Sequence, residues 1–127
     1  MQILEQIKVV SKTDLYALNH VNNVRYVQWV QDIAEKHWLT KATNDILRHF
    51  FWVMLSHHIE YKQAAFLNDV ITIKTFVSKS EGVTSIRIVE FYRDNLLLAK
   101  SETTWCFMNK SSLKPNRISE EVQKLFE

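Results

Sequence analysis

One stretch of this chain has the period of a long helix, and most of the chain beyond it reads as strand. From Val24 to about Trp38, the residues Val27, Val30, Ala34 and Trp38 fall on one stripe, with Val24 and Ile33 beside it. Gln28, Gln31, Asp32 and Glu35 lie on other faces. Tyr26 and Trp29 widen the apolar arc, so this helix is expected to be buried on more than one side.

Around it the strands emerge from composition. Gln6–Val10 is a short β-branched run and reads as a first strand. Leu39–Arg48 is polar-rich and reads as a loop or a short helix. Phe50–Lys62, Asp69–Ser78, Val83–Arg93 and Leu96–Asn109 read as strands, with turns at Lys79–Gly82 and Asp94–Asn95. In the last strand Ala99, Ser101, Thr103, Trp105 and Phe107 share one face. Ser119 is expected to cap a short terminal helix carrying Val122, Leu125 and Phe126. The fold class is α+β: an antiparallel sheet wrapped around one long helix, a hot-dog-like layout, over residues 1–127 as one domain. Open sheet edges predict that the chain dimerises to cover them.

Counting removes several function classes. The 127 residues contain one glycine, Gly82, and one proline, Pro115. Glycine-rich phosphate loops therefore cannot be built, which excludes P-loop and Rossmann nucleotide sites. A single cysteine, Cys106, excludes an internal disulfide and a multi-cysteine zinc site, and suits a reducing compartment such as the cytoplasm. A net charge of +2 leaves no footprint for nucleic acid. Met1–Glu5 carries no basic region or apolar run, so no signal peptide is expected. The longest apolar run, Phe50–Leu55, is far short of the about 20 residues of a membrane span.

The segment Asn19-His20-Val21-Asn22-Asn23 immediately precedes the helix. A helix N-terminus offers unpaired N–H groups and partial positive charge, a setting for a carbonyl oxygen whose charge grows during reaction. His20 suits a general base or a hydrogen-bond donor, and Asn19 or Asn22 suits orienting water or a carbonyl. The plainer reading has Asn22 or Asn23 cap the helix, with His20 a turn residue.

Asp14-Leu15-Tyr16-Ala17-Leu18-Asn19-His20-Val21-Asn22-Asn23-Val24-Arg25-Tyr26 resembles the D-x-D-x-x-x-H-V-N-N-x-x-Y signature of hot-dog-fold acyl-CoA thioesterases of the 4-hydroxybenzoyl-CoA thioesterase-like family. It is also similar to acyl-carrier-protein thioesterases. Glu60–Asp69 resembles the family's E/D-Y-x-R-P-A-x-x-G-D, and Pro115–Val122 its R-P-x-R-I-P-E-E tail. Leu97-Leu98-Ala99 and Thr104–Phe107 resemble its penultimate strand, so the resemblance spans nearly the whole chain. It implies hydrolysis of an acyl-CoA or acyl-carrier-protein thioester by a homodimer or tetramer. It implies no metal or redox cofactor, with coenzyme A entering only as part of the substrate.

The resemblance breaks where the family keeps its catalytic aspartate: that position is Tyr16. Tyrosine, with an ordinary pKa of about 10, is a poor base for water at neutral pH. Three alternatives stay open. Asp14 turns inward and takes the role; His20 with Asn19 or Asn22 activates water, the favoured alternative; or the pocket binds acyl thioesters without turning them over. The thioester carbonyl is expected near Asn23, with Tyr26 and Trp29 either along the acyl group or packed in the core; His58 and Glu60 share a strand face and read as a surface pair, the alternative being an approach to the pocket near Tyr61. Enoyl-thioester hydration would need a D-x-x-P-x-H pattern that this sequence lacks.

Other residues read plainly. His57 and His58 point to opposite faces of a strand, so a metal site from the pair is not expected. Cys106, between Trp105 and Phe107, reads as a buried inert thiol. Lys74, Lys79, Arg87, Arg93 and Lys100 read either as a solvated surface or, by resemblance, as contacts to coenzyme A phosphates.

Overall fold

The computed structural model describes residues 1–127. The chain runs through β1 (Leu4–Val9), a 3-10 turn at Lys12–Asp14, α1 (Asn23–Lys41) and α2 (Asn44–His49). It continues through β2 (Phe50–Tyr61), β3 (Val70–Glu81), β4 (Thr84–Arg93), β5 (Leu96–Asn109) and α3 (Glu120–Lys124). The strands form one antiparallel sheet in the order β1-β3-β4-β5-β2. The segment left open between loop and helix, Leu39–Arg48, is divided: α1 runs on to Lys41 and α2 fills most of the rest.

The caps obey the sequence. Asn22 accepts the Val24 N–H at the start of α1, Thr43 that of Ile46, and Ser119 that of Val122. The β3–β4 turn is tighter than expected, because β3 persists to Glu81 and only Gly82 and Val83 connect the strands. Gly82 sits at φ 62°, a left-handed conformation that costs a residue without Cβ little.

Helix α1 lays Tyr26, Trp29, Val30 and Ile33 on Ile71 and Ile73 of β3, Val89 and Phe91 of β4, and Leu98 and Ala99 of β5. At the other end, Trp38 joins Ile46, Phe107, Ile118, Val122 and Phe126, so α3 closes the sheet there. Phe91 and Phe107 are wholly buried. Truncating either to alanine removes about 3–5 kcal/mol.

A slip in β2 decides which of its side chains face the helix. The β2–β5 register shifts between Met54 and Ser56, leaving Leu55 as an extra residue. Before it, Trp52 and Met54 oppose Phe107 and Trp105; after it, His57, Ile59 and Tyr61 oppose Thr103, Ser101 and Ala99. The helix-side phase therefore passes from even-numbered to odd-numbered residues. Strand β2 pairs only with β5, so its other edge is open.

Candidate active site

The loop before α1 is folded back on itself. Leu15 and Val21 form a bridge, and His20 bridges to Phe66. The Tyr16 N–H donates to the His20 carbonyl at 3.2 Å, and the Asn19 N–H donates to the Tyr16 carbonyl at 2.8 Å. Asn19 completes the turn at φ 64°, a conformation asparagine tolerates better than most residues. This closure sets the Tyr16 ring edge-on against the His20 imidazole, with centroids 4.5 Å apart. The Tyr16 hydroxyl lies 2.9 Å from His20 Nε2.

Beside the loop lies a cavity of about 210 Å³ lined by His20, Val21, Asn23, Tyr26, Tyr61 and residues 62–65. Tyr26 is 3% exposed and its hydroxyl has no hydrogen-bond partner. Burial, reinforced by Tyr61, pushes its pKa up to about 12, so it is a donor at neutral pH. Burial also raises the pKa of Tyr61, whose hydroxyl donates to the Asn23 carbonyl at 3.4 Å. In the first turn of α1 the Val24 N–H goes to Asn22 Oδ1 and the Arg25 N–H to the Asn22 carbonyl. The Asn23 N–H, with no acceptor inside the helix, bonds to nothing in the chain.

Asp14 lies elsewhere. It is 3% exposed; one carboxylate oxygen accepts from the Ser11 N–H and hydroxyl, and the other pairs with Arg25 Nε at 3.2 Å. Its carboxylate is a bracket between the 3-10 turn and α1, and does not line the cavity. The inward-turned Asp14 is therefore corrected. Asn22 holds the cap with its side-chain oxygen, as the plainer reading had it. Asn19 forms the turn and does not line the cavity.

Of the expected binding residues, Asn23, Tyr26 and Tyr61 line the cavity. Trp29 instead packs between Tyr26 and Phe91 in the core. His58 opposes Glu102 on the outer face of the sheet and contacts Glu60 at 3.4 Å. His58 and Glu60 thus form the surface pair read from the sequence, and the alternative, an approach of His58 to the pocket near Tyr61, is corrected, because residues three apart on a strand point to opposite faces. His57 is the helix-side member of the pair, with Nδ1 2.8 Å from Thr103 Oγ1 and a pKa lowered by burial. Cys106 is buried, as expected.

The basic residues do not form one surface. Arg93 pairs with Asp69 at 2.8 Å, while Lys74, Lys79 and Lys100 pair with acids at the surface. Arg87 is only 6% exposed and lies inside the molecule. The signal was present in β4: Arg87 has the same strand parity as Val89 and Phe91. The walls at residues 62–65 carried no such signal, since the loop is placed by the backbone bonds of residues 62 and 63 to Leu98.

The sequence pattern of the thioesterase-like superfamily matches residues 10–126. The chain belongs to that superfamily. No curated protein matches it in sequence. Among solved structures, the probable thioesterase YbaW of Escherichia coli is 20% identical, with 95% of this chain and 94% of that one covered at a TM-score of 0.81. The 1,4-dihydroxy-2-naphthoyl-CoA thioesterase Slr0204 of Synechocystis is 13% identical, with 98% and 95% covered at 0.83. SAV2348 of Staphylococcus aureus, solved in complex with CoA, is 14% identical, with 98% and 81% covered at 0.86. These likenesses show that this thioesterase-like protein has the hot-dog fold expected from its helix and strands. No helix in it is long and apolar enough to cross a membrane.

Proposed function

We propose that this thioesterase-like protein hydrolyses an acyl-CoA or acyl-carrier-protein thioester in the cavity beside His20. The observation that carries the reading is one small cavity lined by His20, Tyr26 and Asn23 at the start of α1, with the Asn23 N–H bonded to nothing in the chain. The Asn23 N–H suits the thioester carbonyl oxygen, whose negative charge grows as water adds. A donor already fixed in place loses little in reorganising as that charge forms.

In this reading Nε2–H of His20 is donated to the Tyr16 oxygen, which leaves Nδ1 to accept a proton. Water adds to the carbonyl carbon as Nδ1 takes its proton. The tetrahedral intermediate then collapses, the C–S bond breaks, and the imidazolium returns the proton to the departing thiolate. Acid and thiol are released and His20 is restored. Tyr16 orients the ring at the position where the family carries an acid. Tyr16, rather than Asn19 or Asn22, is thus the partner of His20. Coenzyme A enters only as part of the substrate.

The open edge of β2, with Val53 and Leu55 exposed, supports assembly as a homodimer or a tetramer by strand pairing. A cytoplasmic location fits the single buried cysteine.

One observation favours a second reading, a module that binds acyl thioesters without hydrolysing them: no carboxylate lines the cavity. Thiol release and equilibrium binding, measured across short, medium, long and aromatic acyl-CoAs, separate the two. Turnover of any member supports hydrolysis. Saturable binding with no thiol release supports the module and makes Tyr16 the reason.

A further inference from the structure

The loop between β5 and α3 leaves the sheet beside Phe107, at the opposite end of α1 from the His20 loop. Its backbone is tied at each step. Asn109 Oδ1 accepts the N–H groups of Ser111 and Ser112 at 2.9 and 3.1 Å. The Leu113 N–H donates to the Asn109 carbonyl at 2.8 Å, and the Asn109 N–H to the Lys114 carbonyl at 3.0 Å. Met108 and Pro115 form a bridge, and the Asn116 N–H reaches the Phe107 carbonyl at 2.8 Å. The loop is therefore a preformed projection.

Leu113 stands on it, 68% exposed and at φ 57°. Two costs meet there: left-handed backbone disfavours a residue with a Cβ, and water disfavours the apolar side chain. Every other left-handed position in the chain holds asparagine, aspartate or glycine. Leu113 alone is both strained and apolar, and nothing in the fold is gained by it.

The charge around Leu113 has one sign. No acid occurs between Glu102 and Glu120, and Lys110, Lys114 and Arg117 lie in that interval, all exposed. None of the three belongs to an ion pair. Lys110 Nζ rests on the Leu47 carbonyl at the end of α2, at 2.6 Å, and the side chains of Lys114 and Arg117 bond to nothing in the chain. Among the neighbouring charges, Arg48 is neutralised by Asp45 and Glu120 by Lys124. Glu121 is left as one free carboxylate against three free cations.

An apolar tip beside ammonium and guanidinium groups matches the surface of a bilayer. The leucine reaches the acyl boundary while the cations stay at anionic headgroups. A protein partner would need a cleft shaped to one leucine; a bilayer needs none. We propose that the β5–α3 loop binds a membrane surface rich in anionic phospholipid, with Leu113 inserted and Lys110, Lys114 and Arg117 at the phosphates. The 19 residues of α1, about 28 Å, separate this surface from the His20 cavity, so the proposal stands apart from hydrolysis there.

The test sediments the intact protein with vesicles of phosphatidylcholine alone and with vesicles of equal parts phosphatidylcholine and phosphatidylglycerol. The expected result is saturable retention on the mixed vesicles, at least about tenfold weaker on phosphatidylcholine and lost at high salt. Leu113→Gly keeps the left-handed backbone and removes the inserted side chain. It should weaken retention about tenfold, with the urea midpoint unchanged or raised. Lys114→Glu with Arg117→Glu should abolish retention, again without loss of stability. No retention on the mixed vesicles, equal retention on both lipids, or retention that survives both variants would overturn the proposal. So would binding of a purified acidic acyl-carrier protein, and not of vesicles, through these residues, which would make the loop a protein-docking site.

Discussion

The hydroxyl of Tyr16 and Nε2 of His20 are 2.9 Å apart, with their rings at 90°. A residue that stands where the family carries an acid is thus joined to the histidine four positions later. Tyr16→Phe keeps the ring contact and removes the oxygen. Thioester kcat/KM should fall about tenfold, because an oriented base is lost while the base itself remains. Denaturation midpoints should barely move, since the pair lies at the surface of the loop, outside the buried core. Unchanged turnover in Tyr16→Phe would leave the hydroxyl without a role.

Asp14 makes the opposite claim, structural weight without chemistry. Its carboxylate joins Ser11 and Arg25 while 3% exposed. Asp14→Ala leaves Arg25 and the Ser11 N–H without their partner. Urea unfolding should show a loss of about 2–4 kcal/mol, with turnover per folded molecule nearly retained. A collapse of turnover at unchanged stability would return Asp14 to the catalytic role.

His37 makes stability depend on pH. Burial, with Arg87 beside it, pushes its pKa down to about 4 from an ordinary 6.5. Above pH 6.5 the group is neutral both folded and unfolded, and its full contribution is present. As pH falls from 6.5 toward 4, the unfolded chain gains a proton that the folded chain does not, so stability is lost. Below 4 the effect levels off. The loss should reach about 3 kcal/mol across that window. It should be absent in His37→Gln when the two proteins are unfolded in parallel at several pH values.

The open β2 edge predicts that light scattering finds a species of at least twice the chain mass. Val53→Asp, which places a charge on this exposed strand, should weaken that assembly about tenfold or more. A monomer at micromolar concentration would contradict pairing through this edge.

The features legible in the sequence were those that local rules decide. The Asn22 cap and the alternation of β5 depend on residues a few positions apart, and each is where it was expected; the apolar stripe of α1 holds at Val30, Ile33, Ala34 and Trp38, whereas Val24 is 72% exposed and the buried face turns toward Tyr26, Trp29 and His37. Asn68 at φ 67° also makes sense of a departure from the family pattern: asparagine replaces glycine at a left-handed position and still adopts it. The features that were not legible depended on pairing between distant strands. The slip at Leu55 arises only when β2 meets β5, and it brings Tyr61 and Trp52 to one face. The burial of Asp14 comes from Arg25 on the helix, and the setting of Arg87 from His37 fifty residues before it. The pocket alternative for His58 fails for a simpler reason, since the two-residue period already separates it from Tyr61.

The most direct test of the central claim is thiol release from the best acyl-CoA substrate by the intact protein and by His20→Ala. His20 lines the cavity in which hydrolysis is placed, so the variant should lose about a hundredfold or more in kcat while still folding and still binding the thioester. Turnover that survives His20→Ala undiminished would contradict the account and move the chemistry away from the Tyr16–His20 pair.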